Sequence, residues 1–422
     1  MEESYKNAVL TSDQQKVIDS LKKGNNIFIT GGGGVGKSFI LRHIINKYSK
    51  SLNIGITSTT GISALNINGI TIHSWAGIGL GQLDVRKLFS KVKRNSISTK
   101  RWRETDLLIL DEISMIDPDL LDKLNTLGKI MRSSSEPFGG IQLIFGGDLL
   151  QLSCISNNKF CFESKCWESL NLDVIYLIEN IRQEDEIFQR CLNLVRVGII
   201  NDFVKNTLKP CIKRKLKPLF GIKPTRLYSH NRDIDYINNK KFNRHVNTLE
   251  IPEIFEYNME IIFKNINESK YKEKYIKNNP AVQNLELCIG CQVVLIFNID
   301  HVNGLVNGSR GIVTNFVNDI PIVKFMNGIE IPITFNTWKL EKMGKEIGSI
   351  SQIPLRLAYA ISIHKSQGMT LDYVTMDLSK IFDYGMGYVA LSRAKSLENL
   401  SISSINWSRI IAHPIALDFY KK

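Results

Sequence analysis

The sequence predicts an α/β protein with two parallel-sheet domains, the first carrying a small insertion and the second split by a small β-barrel. Three observations predict it. Short apolar runs alternate with longer amphipathic stretches through the first half of the chain, and the alternation resumes near residue 225. The runs of the first half are almost continuously apolar, as parallel strands covered on both faces must be. Between these two regions of alternation and the C-terminal stretch lies a set of short strands at close, regular spacing with Gly and Asn turns.

Taken in order, the first-half strands are expected at 26–30, 54–58, 107–110, 142–145 and 174–177. Between Trp75 and Arg101 the pattern weakens, with Gly77, Gly79 and Gly81 followed by a basic stretch, which suits a small projecting insertion. A second α/β pattern opens at 225–229 and is interrupted by a Lys- and Asn-rich region over about 238–283. Barrel strands are expected at 292–297, 311–316, 321–325 and 330–334. The α/β pattern returns at 357–363, 374–376 and 400–403. The expected plan is a first domain of 1–73 and 102–181 around an insertion of 74–101. A second domain of 182–236 and 355–422 then surrounds an insertion of 237–354.

The formal net charge of +13 over 422 residues favours a polyanionic partner. It suits an anionic membrane surface too, but no apolar run approaches the ~18 residues of a membrane span. The N-terminus lacks the apolar segment of a secretory signal and the Arg-rich character of a transit peptide. A soluble protein without membrane attachment is therefore expected. Seven scattered cysteines make no disulfide framework and fit a reducing compartment. Cys288 and Cys291 form one C-x-x-C with no second pair at zinc spacing, so two small buried side chains at a strand start are expected.

The sharpest local signal is Gly31-Gly32-Gly33-Gly34-Val35-Gly36-Lys37-Ser38, which satisfies G-x-x-x-x-G-K-[ST] between a strand and a helix. Glycines let backbone N–H groups close on phosphate oxygens, and the helix N-terminus adds its positive end. Lys37 is the candidate to bridge the β- and γ-phosphates, and the Ser38 hydroxyl to ligate Mg²⁺. Downstream, Leu107-Leu108-Ile109-Leu110-Asp111-Glu112 is an apolar strand ending in two acids. Asp111 is placed to hold Mg²⁺ and Glu112 to polarise the attacking water. These elements predict an NTPase. No N-K-x-D motif reads guanine, which disfavours a GTPase.

The remaining segments narrow the type. Leu10-Thr11-Ser12-Asp13-Gln14 looks like an adenine-reading Q motif, since the Gln14 amide can donate to and accept from one adenine edge. Thr57 to Ala64 resembles motif Ia, Gly146-Gly147-Asp148-Leu149-Leu150-Gln151 motif III, and Asn180-Ile181-Arg182-Gln183 motif IV. His364-Lys365-Ser366-Gln367-Gly368 resembles motif V, and Tyr388-Val389-Ala390-Leu391-Ser392-Arg393-Ala394 motif VI. This ordered set resembles the Pif (petite integration frequency) family of RecD-like superfamily 1B DNA helicases. Pro137 to Leu143 is similar to the family's signature segment, and Leu305 to Gly311 to its barrel turn. Motif III departs from the pattern, because Ser153 and Cys154 stand where the family usually has prolines.

The resemblance implies two RecA-like domains, with a 1B wedge in the first and an SH3-like barrel in the second. It implies ATP and Mg²⁺ as ligands, with Gln14, residues 31–38, Gln367 and Gly368 at the nucleotide. Arg182 and Arg393 become arginine fingers and Gln151 a sensor of the γ-phosphate. Strand contacts fall to Thr59, Thr60, Gly61, His364, Lys365 and the turn residues Asn307 and Arg310. His73 and Trp75 suit either base stacking or core packing. The implied activity is 5′→3′ translocation on single-stranded DNA with duplex unwinding, the partners being single strands and junctions, with G-quadruplexes and forks as further substrates. A monomeric, bare motor core is expected. Three readings compete: a strand-stimulated ATPase that unwinds poorly, a nucleotide-gated DNA-binding module, and a motor specific for RNA.

Overall fold

The computed structural model describes residues 9–153, 159–180, 183, 185–218, 221–229, 234–264, 272–300, 303–342, 345–371 and 373–421. The chain divides into two compact units. The first runs to Ile199 and adds Asp383–Tyr388 and Ile411–Lys422; the second is Ile200–Phe382 with Val389–Ile410.

In the first unit six strands form one parallel sheet: β1 (Asn26–Thr30), β2 (Ile54–Ser58), β3 (Ile70–Thr71), β4 (Leu107–Asp111), β5 (Gln142–Gly147) and β6 (Leu172–Tyr176), in the order β3-β2-β4-β5-β1-β6. Successive strand residues point to opposite faces, and two cores follow from that alternation. Phe28, Leu108, Leu110, Leu143 and Phe145 lie in one, and Ile27, Ile29, Leu107, Ile109 and Ile144 in the other. Burial on both sides is why these strands read as unbroken apolar runs. Register pairs Thr30 with Gly147, Leu110 with Phe145 and Ser58 with Asp111, so β1, β5, β4 and β2 end side by side. In open α/β sheets ligands bind at those carboxyl ends.

Residues 74–101 were expected to project. They fold largely as the helices Val85–Lys93 and Ser96–Glu104, the second running on to Glu104. Leu88, Val92 and Trp102 enter the first core, and the Trp102 indole N–H donates to the Ala76 carbonyl at 3.2 Å. The basic side chains stay on the outside: Lys87, Lys93 and Arg94 are exposed.

The second unit holds a four-stranded parallel sheet of β7 (Thr225–Tyr228), β18 (Ala360–Ser362), β19 (Val374–Leu378) and β20 (Leu400–Ile405), ordered β18-β7-β19-β20. With the first sheet it makes the two RecA-like parallel sheets of the α/β fold. Between β7 and β18 lie the antiparallel strands. β11 (Gln292–Leu295), β12 (Arg310–Val317), β13 (Ile320–Phe325), β14 (Glu330–Pro332) and β17 (Leu355–Leu357) run in the order β14-β13-β12-β11-β17. β8 (Phe255–Asn258) pairs with β10 (Asn284–Leu287), and β9 (Glu260–Phe263) joins β15 (Asn336–Lys342) and β16 (Lys345–Gln352). Cys288 and Cys291 are fully buried at the approach to β11.

Three expectations change. The strand expected at 357–363 is two strands, because the chain leaves one sheet at β17 and enters another at β18. Ala358 between them still donates to the Gln292 carbonyl at 2.9 Å. The last strand of the first sheet starts at Leu172 rather than residue 174. Residues 185–199 and 411–421, expected in the second domain, fold with the first unit, where Ala416 is buried and Val197, Leu417, Phe419 and Tyr420 pack on the core. Among the described residues no helix is long and apolar enough to cross a membrane.

Candidate nucleotide site and strand-binding residues

The loop after β1 depends on glycine at specific positions. Gly31, Gly34 and Gly36 have φ of +145°, +91° and +84°, which side-chain-bearing residues rarely adopt. A Cβ on Gly31 would collide with the Leu177 carbonyl. Gly36 opens the helix Lys37–Tyr48 without a side-chain cap, leaving that end to backbone N–H groups. The Lys37 ammonium donates to the Gly31 and Gly32 carbonyls, each at 2.7 Å. Burial lowers its pKa below the usual lysine value, against the opposing charges of Asp148, Glu112 and Asp111. Those carboxylates therefore gather around the loop.

β4 delivers two of them. The Glu112 backbone is left-handed at φ +55°, and its N–H donates to Asp111 Oδ1 at 2.9 Å. Burial, reinforced by the charge of Glu112, pushes the Asp111 carboxyl up to about 7. β5 makes room for this acid with glycine, since a Cβ on Gly146 would sit 2.8 Å from Asp111 Oδ1. From β2, Ser58 Oγ donates to the Asp111 carbonyl at 3.0 Å and Thr59 Oγ1 to the Glu112 carbonyl at 3.2 Å. Thr60 Oγ1 accepts from the Ser63 N–H at 3.2 Å and so caps the helix Gly61–Asn66. Thr59 thus has a local structural duty at the acids and Thr60 at the helix start, and Gly61 is exposed beside them.

The residues present fit a magnesium nucleotide. Gln14 is buried, its Oε1 accepts from the Thr11 N–H at 3.2 Å, and its Nε2 has no hydrogen-bond partner among the described residues. A buried amide donor of this kind suits an adenine edge. Ser38 and Asp111 offer the hard oxygen donors that Mg²⁺ prefers.

After β5, Asp148 is fully buried and receives Arg196 in a two-point pair, Nε to Oδ2 at 3.0 Å and Nη2 to Oδ1 at 2.8 Å. Burial alone would raise its pKa, but the Arg196 guanidinium holds it below the carboxylate range. Gln151 is buried beside it, with Nε2 at 3.4 Å from Asp148 Oδ2. Tyr388 presents its hydroxyl to the Gly33 N–H at 2.6 Å.

Trp75 takes the core alternative, and Arg310 departs from the expected strand contact. Trp75 is 3% exposed and packs edge-on against Trp102 with centroids 4.8 Å apart, so its face is not offered to bases. Arg310 is 4% exposed and donates to Thr225 Oγ1 at 2.7 Å, serving the fold where a surface role was expected. His73 is half-buried, and burial lowers its pKa. Asn307 is half-buried at the barrel turn, with its N–H on Asn298 Oδ1 at 2.8 Å. His364 stacks on Phe382 at 6.1 Å, Lys365 and Gly368 are exposed, and Gln367 is buried. The Arg393 side chain is buried and donates to the Val389 carbonyl at 2.9 Å, Ser392 Oγ at 2.7 Å and the Met369 carbonyl at 3.3 Å, tying the motif VI segment to the motif V segment. Arg182 lies outside the described residues.

Comparison with known proteins decides the family. The profile of the PIF1-like helicase family matches residues 9–203, and that of the DNA helicase Pif1 2B domain matches 270–316. The crystal structure of Pif1 helicase from Candida albicans is similar at TM-score 0.84 and 37% identity, covering 98% of this chain and 99% of that one. The chain belongs to the PIF1-like helicase family. The ATP-dependent DNA helicase PIF1 of Danio rerio is 36% identical over 98% of this chain, which spans 64% of that relative's length. Bacteroides Pif1 bound to single-stranded DNA is similar at TM-score 0.70 and 31% identity, covering 98% and 97% of the two chains. By the names of its members, this is a family of ATP-dependent DNA helicases.

Within this PIF1-like chain, sequence reasoning missed Arg196 and Tyr420 and passed over Asp148 and Tyr388 inside motifs it had quoted. The glycine pair before Asp148 makes room for Asp111 and Ile113 and gave no signal for Asp148 itself. Arg196 and Tyr420 had none, being 48 and 272 residues from Asp148.

Proposed function

We propose that the chain is an ATP-driven motor that moves 5′→3′ along single-stranded DNA and separates duplex at junctions and forks, with G-quadruplexes as further substrates. The observation that carries this reading is the meeting of Lys37, Asp111, Glu112 and Asp148 at one glycine loop, in a chain of the PIF1-like family. Lys37 stabilises charge on the transferred phosphoryl group, and Glu112 orients the attacking water. Ser38 and Asp111 would hold Mg²⁺, which would supply charge neutralisation at the phosphates. Gln14 selects adenine, Gln151 senses the γ-phosphate and with Gln367 relays nucleotide state to the strand-binding face, and Arg182 and Arg393 act as arginine fingers whose approach accompanies domain closure. Hydrolysis reopens the domains, and alternating grip on the strand turns closure into steps. Strand contact falls to Thr59, Thr60, Gly61, His73, Asn307, His364 and Lys365. Direction and substrate range rest on the likeness to superfamily 1B, and single-strand binding on the Bacteroides relative solved with such a strand.

Two partial duplexes, one with a 5′ tail and one with a 3′ tail, test the proposal. ATP-dependent separation of only the 5′-tailed substrate is expected. Separation of only the 3′-tailed one overturns the direction. Strand-stimulated hydrolysis with no separation replaces the helicase by a translocase. Lys37→Ala is the control: hydrolysis falls at least ~100-fold while strand binding persists.

A further inference from the structure

Asp148 sits where several parts of the first unit converge. Its Oδ1 takes Arg196 Nη2 at 2.8 Å and the Leu150 N–H at 3.1 Å, and its Oδ2 takes Arg196 Nε at 3.0 Å. Tyr420 closes the arrangement. Its hydroxyl lies 3.3 Å from Asp148 Oδ1 and 2.6 Å from Thr30 Oγ1 at the end of β1, and it accepts from the Leu149 N–H at 3.0 Å. The Arg196 guanidinium lies over the Tyr420 ring, 5.0 Å from its centroid. One carboxylate therefore fixes the start of the 148–151 turn, while an arginine and a tyrosine from distant parts of the chain fix the carboxylate.

The turn ends in Gln151, whose N–H donates to the Asp148 carbonyl at 3.1 Å and whose amide faces Asp148 Oδ2. Gln151 therefore has its backbone and its side chain referred to the same aspartate. A bidentate guanidinium sets the carboxylate plane as well as its position, which an ammonium cannot do.

We propose that Arg196 and Tyr420 are positioning residues for γ-phosphate sensing: they clamp Asp148 so that Gln151 is held in register with the phosphate loop. The inference rests on the reading of Gln151 as the sensor. Both act through Asp148, although the aliphatic stem of Arg196 passes the phosphate loop, its Cδ 3.8 Å from where a Cβ on Gly32 would stand. Their loss acts on discrimination between tri- and diphosphate and leaves general nucleotide affinity intact. Arg196→Lys keeps the charge and loses the fork; Tyr420→Phe keeps the ring under the guanidinium and loses the hydroxyl.

Titration calorimetry of the full chain with ATPγS and with ADP, both with Mg²⁺, tests this. In the unmodified chain ATPγS is expected to bind more tightly than ADP. Arg196→Lys and Tyr420→Phe are expected to cut that preference about five- to tenfold, the worth of one or two strained polar contacts, while the ADP constant stays within about twofold. Arg196→Gln leaves a buried carboxylate without its cation and is expected to destabilise the fold; the paired Asp148→Asn with Arg196→Gln removes both charges and is expected to lose the preference as well. An unchanged preference in the folded variants, with only a lower melting temperature, makes the clamp purely structural and overturns the proposal, as does a preference near one in the unmodified chain. A chain that shows the expected losses yet separates neither tailed duplex removes the helicase reading and leaves this inference standing.

Discussion

The hydroxyl of Tyr388 accepts a hydrogen bond from the Gly33 backbone N–H at 2.6 Å, inside the loop whose N–H groups are the phosphate ligands. A phosphate oxygen entering the loop competes for that donor. Removing the hydroxyl removes the competitor, so Tyr388→Phe is expected to bind ATP about fivefold more tightly, the equivalent of one modest hydrogen bond. Titration with a fluorescent ATP analogue reads it. Weaker binding in Tyr388→Phe would show instead that the hydroxyl supports the bound loop.

Asp111 gives a prediction with a pH window. Its carboxyl is raised from 3.8 to about 7 by burial and by Glu112. An acid raised in the folded state holds its proton more tightly there than in the unfolded chain. The stability it contributes is full below the unfolded value and is lost as pH rises through about 7. In EDTA at pH 8, Asp111→Asn should therefore melt above the unmodified chain, and near pH 4 the gap should close. Mg²⁺ at pH 8 should stabilise the unmodified chain and not the variant. A variant melting lower at pH 8 in EDTA contradicts the account.

Local features carried most of what the sequence could tell. β1 and β2 were readable to the residue because both faces of the sheet are covered, so their apolar runs start and stop with the strands. The phosphate loop was readable because its backbone demands glycine at Gly31, Gly34 and Gly36. Contacts made by tertiary folding left no local trace. The Thr30–Tyr420 hydrogen bond joins residues 390 apart, and nothing near either one announces the other. Trp75 and Arg310 misled for a related reason: residue types common at nucleic-acid surfaces look the same in sequence when the fold has buried them. The break between β17 and β18 was hidden because Ala358 and Tyr359 bring no Gly, Pro, Asn or Asp to mark a turn while the chain changes sheets.

Trp75 allows that correction to be tested. Packed against Trp102 and close to Gly55, it belongs to the core of the first unit. Trp75→Ala should cost about 3–5 kcal/mol of stability. Trp75→Phe should lower the melting temperature less and leave single-strand affinity within about twofold, because no base stacks on the indole. A large loss of affinity in a Trp75→Phe chain of near-normal melting temperature would restore the stacking role.

Lys365 is the complementary case. It is exposed, and its N–H is fixed by Ser362 Oγ at 3.2 Å in the turn that follows β18. A lysine that neutralises one phosphate of a single strand releases about 0.7 of a counterion. Lys365→Ala should therefore weaken binding to an oligo-dT strand and flatten the plot of log affinity against log salt by about 0.7. Lys215 is also exposed but sits in a basic stretch where Arg214 is occupied with the Leu397 carbonyl at 2.6 Å. Lys215→Ala should leave the slope unchanged, since a lysine that only raises the general field releases no counterion on binding. Equal slopes for both variants would remove Lys365 from the strand path, and equal flattening would mean that the strand tracks the basic surface as a whole.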